Sequence, residues 1–142
     1  MTKRCVVGYD LNEKNCQISY YNENMEEPET MEVASDNYQI PLILGYYKDH
    51  WVYGQEAKQL MEFGEGNMIT DLFQKAVKRK KVQVGDKIHD GVWLLSKFIS
   101  LTLKHFEEID CITFSVPYTN VDMSKMLKGI GRHIGVPGER VY

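Results

Sequence analysis

DGVWLLSKFISLTLKHFEEIDCITFSVP, residues 90–117, is the stretch that sets the architecture. Val92, Leu95, Ile99, Leu103 and Phe106 recur at helical spacing, and Asp90 stands where an N-cap belongs, so a helix is predicted over 90–108. Leu94, Phe98 and Leu101 spread the apolar surface around much of its girth. A helix of that kind sits between layers rather than on a surface. Cys111 to Val116 then forms an apolar run of strand length, stopped by Pro117. A buried helix feeding a buried strand reads as an α/β fold.

Towards the N-terminus the pattern is that of an antiparallel meander. Cys5 to Tyr9 has β-branched and aromatic content, Asp10 to Asn15 is turn-rich, and Gln17 to Tyr21 alternates as a second strand. Residues 22–30 are polar and contain Pro28, which predicts a loop, and residues 31–34 follow as a short third strand. Next comes a hairpin of residues 40–45 with 50–53, turning around Tyr47, Lys48 and Asp49. A helix over 55–63 is stopped by Gly64 to Asn67, and residues 68–81 fit a short helix or a strand. Val82 to Val84 with Gly85 and Asp86 read as strand and turn. Beyond Pro117, Asn120 is placed to cap a helix with Met123, Met126, Leu127, Ile130 and Ile134 on one stripe. After the break at residues 135–138, Arg140 to Tyr142 begin another strand, and the expectation is that the chain stops inside a larger protein.

The 142 residues and 16.5 kDa suit one ordinary domain or two small lobes. Apolar residues at 43% and charged residues at 26% exclude disordered and collagen-like classes. No apolar run approaches the roughly 20 residues of a membrane span, and the start is too short in its apolar part for a signal peptide, which makes a cytoplasmic location the expectation. Cys5, Cys16 and Cys111 are too few and too widely spaced for a disulfide framework or a zinc site. His50, His89, His105 and His133 show no metal-ligand spacing, and His105 and His133 are expected late in their helices. The net charge of −3 gives no general attraction to nucleic acid, although KAVKRKK, residues 75–81, holds five basic residues in seven.

Three segments together resemble the first half of the actin-like ATPase superfamily, most closely the DnaK-like heat-shock chaperones, in a bacterial member. Val7-Gly8-Tyr9-Asp10-Leu11 and the turn after it look like that family's opening G-I-D-L-G-T-T hairpin. Pro41-Leu42-Ile43 with Tyr53-Gly54-Gln55-Glu56-Ala57-Lys58 is similar to its P-S-V…V-G-x-x-A-K segment. Ile112 to Pro117 followed by LKGIGRHIG, residues 127–135, looks like its I-T-V-P…A-G-x-I-A-G stretch. The resemblance covers nearly the whole chain. It implies a ribonuclease-H-like core of residues 1–35 and 88–142, with an inserted small α+β lobe at 36–87.

The resemblance also implies a chemistry. In the family the hairpin wraps nucleotide phosphates with backbone N–H groups and hydroxyls, and the strand-end aspartate holds hydrated Mg2+. Asp10 falls on that aspartate and is the candidate metal residue, acting through water. The Gly-Thr-Thr positions fall on Asn12, Glu13 and Lys14. Asn12 can adopt positive φ and keep the turn, and Lys14 can offer an ammonium. Glu13 instead brings a carboxylate towards phosphate, so the hairpin reads as degenerate. Lys75 or Lys78 is the nearest equivalent of the family's phosphate lysine. The phosphate-binding candidates are therefore Asp10, Asn12, Lys14 and Lys75. ATP and Mg2+ are expected only in a full-length protein with weak or absent ATPase activity, and the chain by itself is not expected to be an enzyme. The alternative is an interaction scaffold that keeps the fold without nucleotide and binds a protein partner through the aromatics of the lobe, Tyr46, Tyr47, Trp51 and Tyr53. Tyr46, Tyr47, Trp51 and Tyr53 otherwise read as cross-strand pairs. A metal nuclease would need more carboxylates converging on Asp10, and residues 111–117 supply none. Self-association through an exposed sheet edge is a further expectation.

Overall fold

A computed structural model describes residues 4–21, 24–32, 37–106, 108–117 and 121–142. Strand β1 (Arg4–Leu11) alternates buried Cys5, Val7, Tyr9 and Leu11 with the outward Val6, Gly8 and Asp10. It pairs antiparallel with β2 (Asn15–Tyr21), Tyr9 opposite Ile18 and Asp10 opposite Gln17. The outer edge of β2 is taken by β3 (Glu29–Thr30) and by β4 (Gln39–Pro41). The third strand thus falls one step earlier than the 31–34 expected, and residues 33–34 lie outside the described residues.

The lobe hairpin also differs from its expected bounds. Residues 39–41 leave to join β2, and the hairpin is β5 (Leu44–Tyr47) with β6 (His50–Tyr53). A chain containing Pro41 cannot donate there, and β4 ends at it. The two-residue turn places Lys48 and Asp49 at positive φ, 49° and 64°, which matches the twist of the flanking strands. Helix α1 (Gly54–Glu62) follows, then β7 (Asn67–Ile69) on the other side of β5. The ambiguous stretch 68–81 resolves into the end of β7, helix α2 (Leu72–Val77) and a turn into β8 (Lys81–Val84). β8 pairs with β9 (Lys87–Asp90) around Gly85 and Asp86.

Helix α3 (Gly91–Thr102) begins as expected, with the Asp90 carboxylate accepting from the Trp93 amide at 2.9 Å. It ends earlier than 108. Leu103 is its C-cap, Lys104 and His105 lie in the following turn, and Glu108 already belongs to β10 (Glu108–Ser115). The apolar period at Leu103 and Phe106 continues because both pack on the core from that turn, not because the helix persists. His105 is accordingly past the helix end, whereas His133 sits in the last turn of α4 (Val121–His133). Asn120, expected to cap α4, lies outside the described residues.

β10 runs parallel to β1, with Val7 beside Ile112 and Asp10 beside Ser115. On its other side Val141 bridges Ile112 in parallel, and the Tyr142 amide and carbonyl bond Ile112 and Phe114. The main sheet therefore runs Val141, β10, β1, β2, then β3 and β4 side by side. The protein is a mixed α/β fold. Its core is Val7, Tyr9, Leu11, Ile18, Ile112 and Phe114 from the sheet against Leu94, Leu95, Phe98 and Ile99 of α3 and Met126 and Ile130 of α4. The same apolar cluster continues into residues 36–87 through Leu42, Leu44, Ile69, Leu72 and Phe73. No helix among the described residues is long and apolar enough to cross a membrane.

Candidate functional site

The β1–β2 turn carries three of the four phosphate-binding candidates. Asp10 stands exposed on the sheet face away from α3, between Gln17 and Ser115. The Asn12 amide donates to the Asn15 carbonyl at 2.9 Å, and the Lys14 carbonyl accepts from the Leu42 amide at 2.9 Å. Asn12 is not among the residues with positive φ, so the left-handed turn expected there is not adopted. The far side of the turn is held by Leu42, the residue after β4.

Helix α2 comes up to the turn and meets its side chains. Glu13 accepts from the Gln74 amide group at 3.0 Å, and Lys14 lies 3.6 Å from the Asp71 carboxylate. The ion pair is exposed, 81% and 53% for the two side chains, and contributes at most about 1 kcal/mol. Asp71 is the N-cap of α2 yet makes no cap bond, and it holds φ at 54°. Its carboxylate is turned to Lys14 instead of to the helix amides. Lys75, the fourth candidate, donates to the Thr70 carbonyl, a bond within its own connection. The structure thus brings Lys14 to α2, the helix that carries Lys75, and each ammonium already has an acceptor. Among the described residues no group of three or more His, Cys, Asp or Glu side chains converges to hold a metal ion.

A second cluster forms where β5, β6 and β9 meet the start of α3. Tyr46 and Trp51, opposite one another across the hairpin, pack edge to face at 5.1 Å, which realises the expected cross-strand pair. Trp51 also meets Trp93 at 5.7 Å and His89 at 5.9 Å, and His89 stacks on Trp93 at 3.9 Å and 14°. All four rings are half-buried. His89 and Trp93 were not legible as members of this cluster. No local signal marked them: an apolar alternation in Lys87-Ile88-His89-Asp90 would turn Ile88 inward, whereas Ile88 is 67% exposed and His89 is half-buried.

The buried polar groups are spent on the fold. Thr102 donates to the Ile99 carbonyl at 2.8 Å, so the Tyr9 hydroxyl donates to Thr102 at 2.8 Å and accepts from the Cys16 thiol at 3.5 Å. Burial pushes the Tyr9 phenol well above its ordinary value, with Cys16 adding to the rise, and burial pushes Cys16 up to about 12. Cys16, not Cys111, is the more deeply buried thiol, and none of the three cysteines is in a disulfide.

A family model described as "Family of unknown function (DUF5716) C-terminal" matches residues 27–142. The chain belongs to that family. The matched stretch takes in Lys75, the aromatic cluster and the basic turn after α2, whereas Asp10, Asn12 and Lys14 precede it. No curated protein matches the chain.

Proposed function

We propose that this domain is an actin-like or DnaK-like scaffold, with a ribonuclease-H-like core, that binds a protein partner and no longer works through a nucleotide. The observation that carries the reading is the closure of the β1–β2 turn against α2. Glu13 with Gln74 and Lys14 with Asp71 span the gap between the hairpin and the lobe, the place to which the resemblance to the actin-like family assigns a phosphate. Two carboxylates, Glu13 and Asp71, border that gap, and a polyphosphate brought between them would meet like charge. The Asn12 amide, which a phosphate-wrapping turn would offer, is used by Asn15. The element order supports the fold part of the reading: an antiparallel meander, a middle segment with its own small sheet, a buried helix, a parallel strand, a helix and a second parallel pairing. The half-buried rings of Tyr46, Trp51, His89 and Trp93 support the partner part, since aromatic side chains are enriched in contact surfaces.

Weak nucleotide binding with Mg2+ is the second reading, and the exposed Asp10 at the end of β1 is what favours it. Calorimetry with Mg-ATP on the whole natural polypeptide, with Asp10→Ala beside it, separates the two. The expected result is no heat of binding from a folded protein. Binding that weakens in Asp10→Ala would overturn the scaffold reading and restore a phosphate-holding hairpin.

A further inference from the structure

Three of the four α-helices among the described residues stop in the same way. After α1 the Gly64 amide reaches the Met61 carbonyl and the Glu65 amide reaches Leu60. After α4 the Gly135 amide reaches Arg132 and the Val136 amide reaches Gly131. After α2 the Arg79 amide reaches Ala76 and the Lys80 amide reaches Lys75. Each is a Schellman motif, whose first residue past the cap must take left-handed φ. Gly64 and Gly135 do so at 68° and 92° without a Cβ to strain. Arg79 does so at 50° with a full side chain. Strain of this kind, held where glycine is the ordinary solution and is used twice in the same molecule, points to a side chain wanted for itself.

That side chain projects from a basic knuckle. Lys78, Arg79, Lys80 and Lys81 are all exposed, and none of them makes an ion pair among the described residues. Lys78 as C-cap already serves the carbonyl end of α2, and three further charges exceed what so short a helix can use. We propose that the α2–β8 turn is a docking site for a short acidic segment of a partner protein, with Arg79 as its central contact. A guanidinium meets a carboxylate through two parallel hydrogen bonds, which a lysine cannot reproduce.

Charge decides between classes of polyanion. Of the 17 basic residues, five lie in 75–81, leaving twelve against 20 acidic residues elsewhere. A nucleic-acid duplex, with a charge about every 1.7 Å, would run off the knuckle onto a surface of its own sign. The four exposed residues span about 13 Å at most, the reach of three or four successive carboxylate-bearing residues. The proposal rests on the scaffold reading and names the chemistry of its partner.

The test is fluorescence anisotropy of the whole natural polypeptide with two labelled probes, a hexaglutamate peptide and a short DNA duplex, at low and physiological salt. The peptide is expected to bind more tightly than the duplex and to weaken with salt. Arg79→Gly is expected to weaken peptide binding about tenfold while the melting temperature holds or rises by about 2–6 °C, because the strain is relieved. Unchanged peptide binding in Arg79→Gly, a melting temperature that falls with the affinity, or tighter binding of the duplex would each overturn the proposal. A calorimeter silent to Mg-ATP with no peptide binding removes this site and leaves the scaffold reading standing; heat with Mg-ATP that falls in Asp10→Ala removes the scaffold reading whatever the peptide does.

Discussion

Tyr9 shows how one side chain ties three elements together. Its hydroxyl receives the Cys16 thiol from β2 and hands its own proton to Thr102 of α3, whose hydroxyl ends the chain on the Ile99 carbonyl. Every donor in the buried row is used, so the row adds no unsatisfied polar group to the core. Tyr9→Phe removes the middle link and is expected to cost about 1 kcal/mol in urea unfolding. The same burial sets a pH dependence. Tyr9 and Cys16 are neutral in the fold with raised pKa values, while the unfolded chain releases those protons near 10.0 and 9.0 respectively. The stabilisation is therefore complete below about pH 9 and is lost as pH rises towards 12. Stability measured across that range should fall, and Cys16→Ala or Tyr9→Phe should flatten the fall. A curve equally steep in both variants would place the titration elsewhere.

The junction of α2 with α3 is the most demanding contact between elements. The Gly91 amide donates to the Lys80 carbonyl at 2.7 Å, and a Cβ at Gly91 would land on the Lys75 carbonyl and within 2.6 Å of the Ala76 nitrogen. Backbone against backbone leaves no side chain to move aside. Gly91→Ala is expected to cost about 2–4 kcal/mol, with part of the loss felt as displacement of the basic turn. Asp90→Ala, one residue earlier, removes only the cap bond to Trp93 and should cost about 1 kcal/mol. Thermal melts of the two variants side by side check the ranking; an equal loss would mean that the close approach is relieved by a small shift of α2. Gly131 plays a related part in α4, where a Cβ would meet the side chain of Val141 and push the last parallel pairing off β10.

At the scale of the whole molecule, the apolar cluster does not divide between the main sheet and the middle segment. Phe73 and Leu72 of α2 pack in the same cluster as Tyr9 and Phe98, and Tyr53 of the hairpin lies edge-on to Phe98 at 6.2 Å. Among the described residues, only Ile43, Val52 and Ala57 form a separate small cluster. Continuous packing predicts one cooperative transition. The tryptophans report on the lobe and its junction with α3, while the circular dichroism of the backbone reports on the whole, so the two unfolding curves should coincide. Separate midpoints would show that the middle segment melts independently.

The helices over 54–62 and 91–102, the strand after Cys111 and the stripe of α4 were legible because each depends on local periodicity with a local stop, an Asp cap or a following glycine. The candidates Asp10, Asn12 and Lys14 could be placed on the first turn for the same reason. What lay beyond reach was decided by neighbours distant in sequence. Residues 39–41 join β2 and not the hairpin because the open edge of β2 stands beside them, and α3 stops at Thr102 although its apolar period runs on, since the core accepts Leu103 and Phe106 from a turn as well as from a helix. Whether Glu13 and Lys14 faced an open cleft or a partner depended on where α2 came to rest, and the short spacing of Gln74 and Asp71 from the turn is a fact of packing. The sequence by itself determined the first two strands, the cores of α1, α3 and α4 and the strand after Cys111, because hydrophobic period and caps act within a few residues. Only the tertiary structure determined that the turn is closed, that His89 and Trp93 join Trp51, and that Arg79 sits where glycine sits elsewhere, because each depends on contacts or backbone geometry that no local pattern encodes.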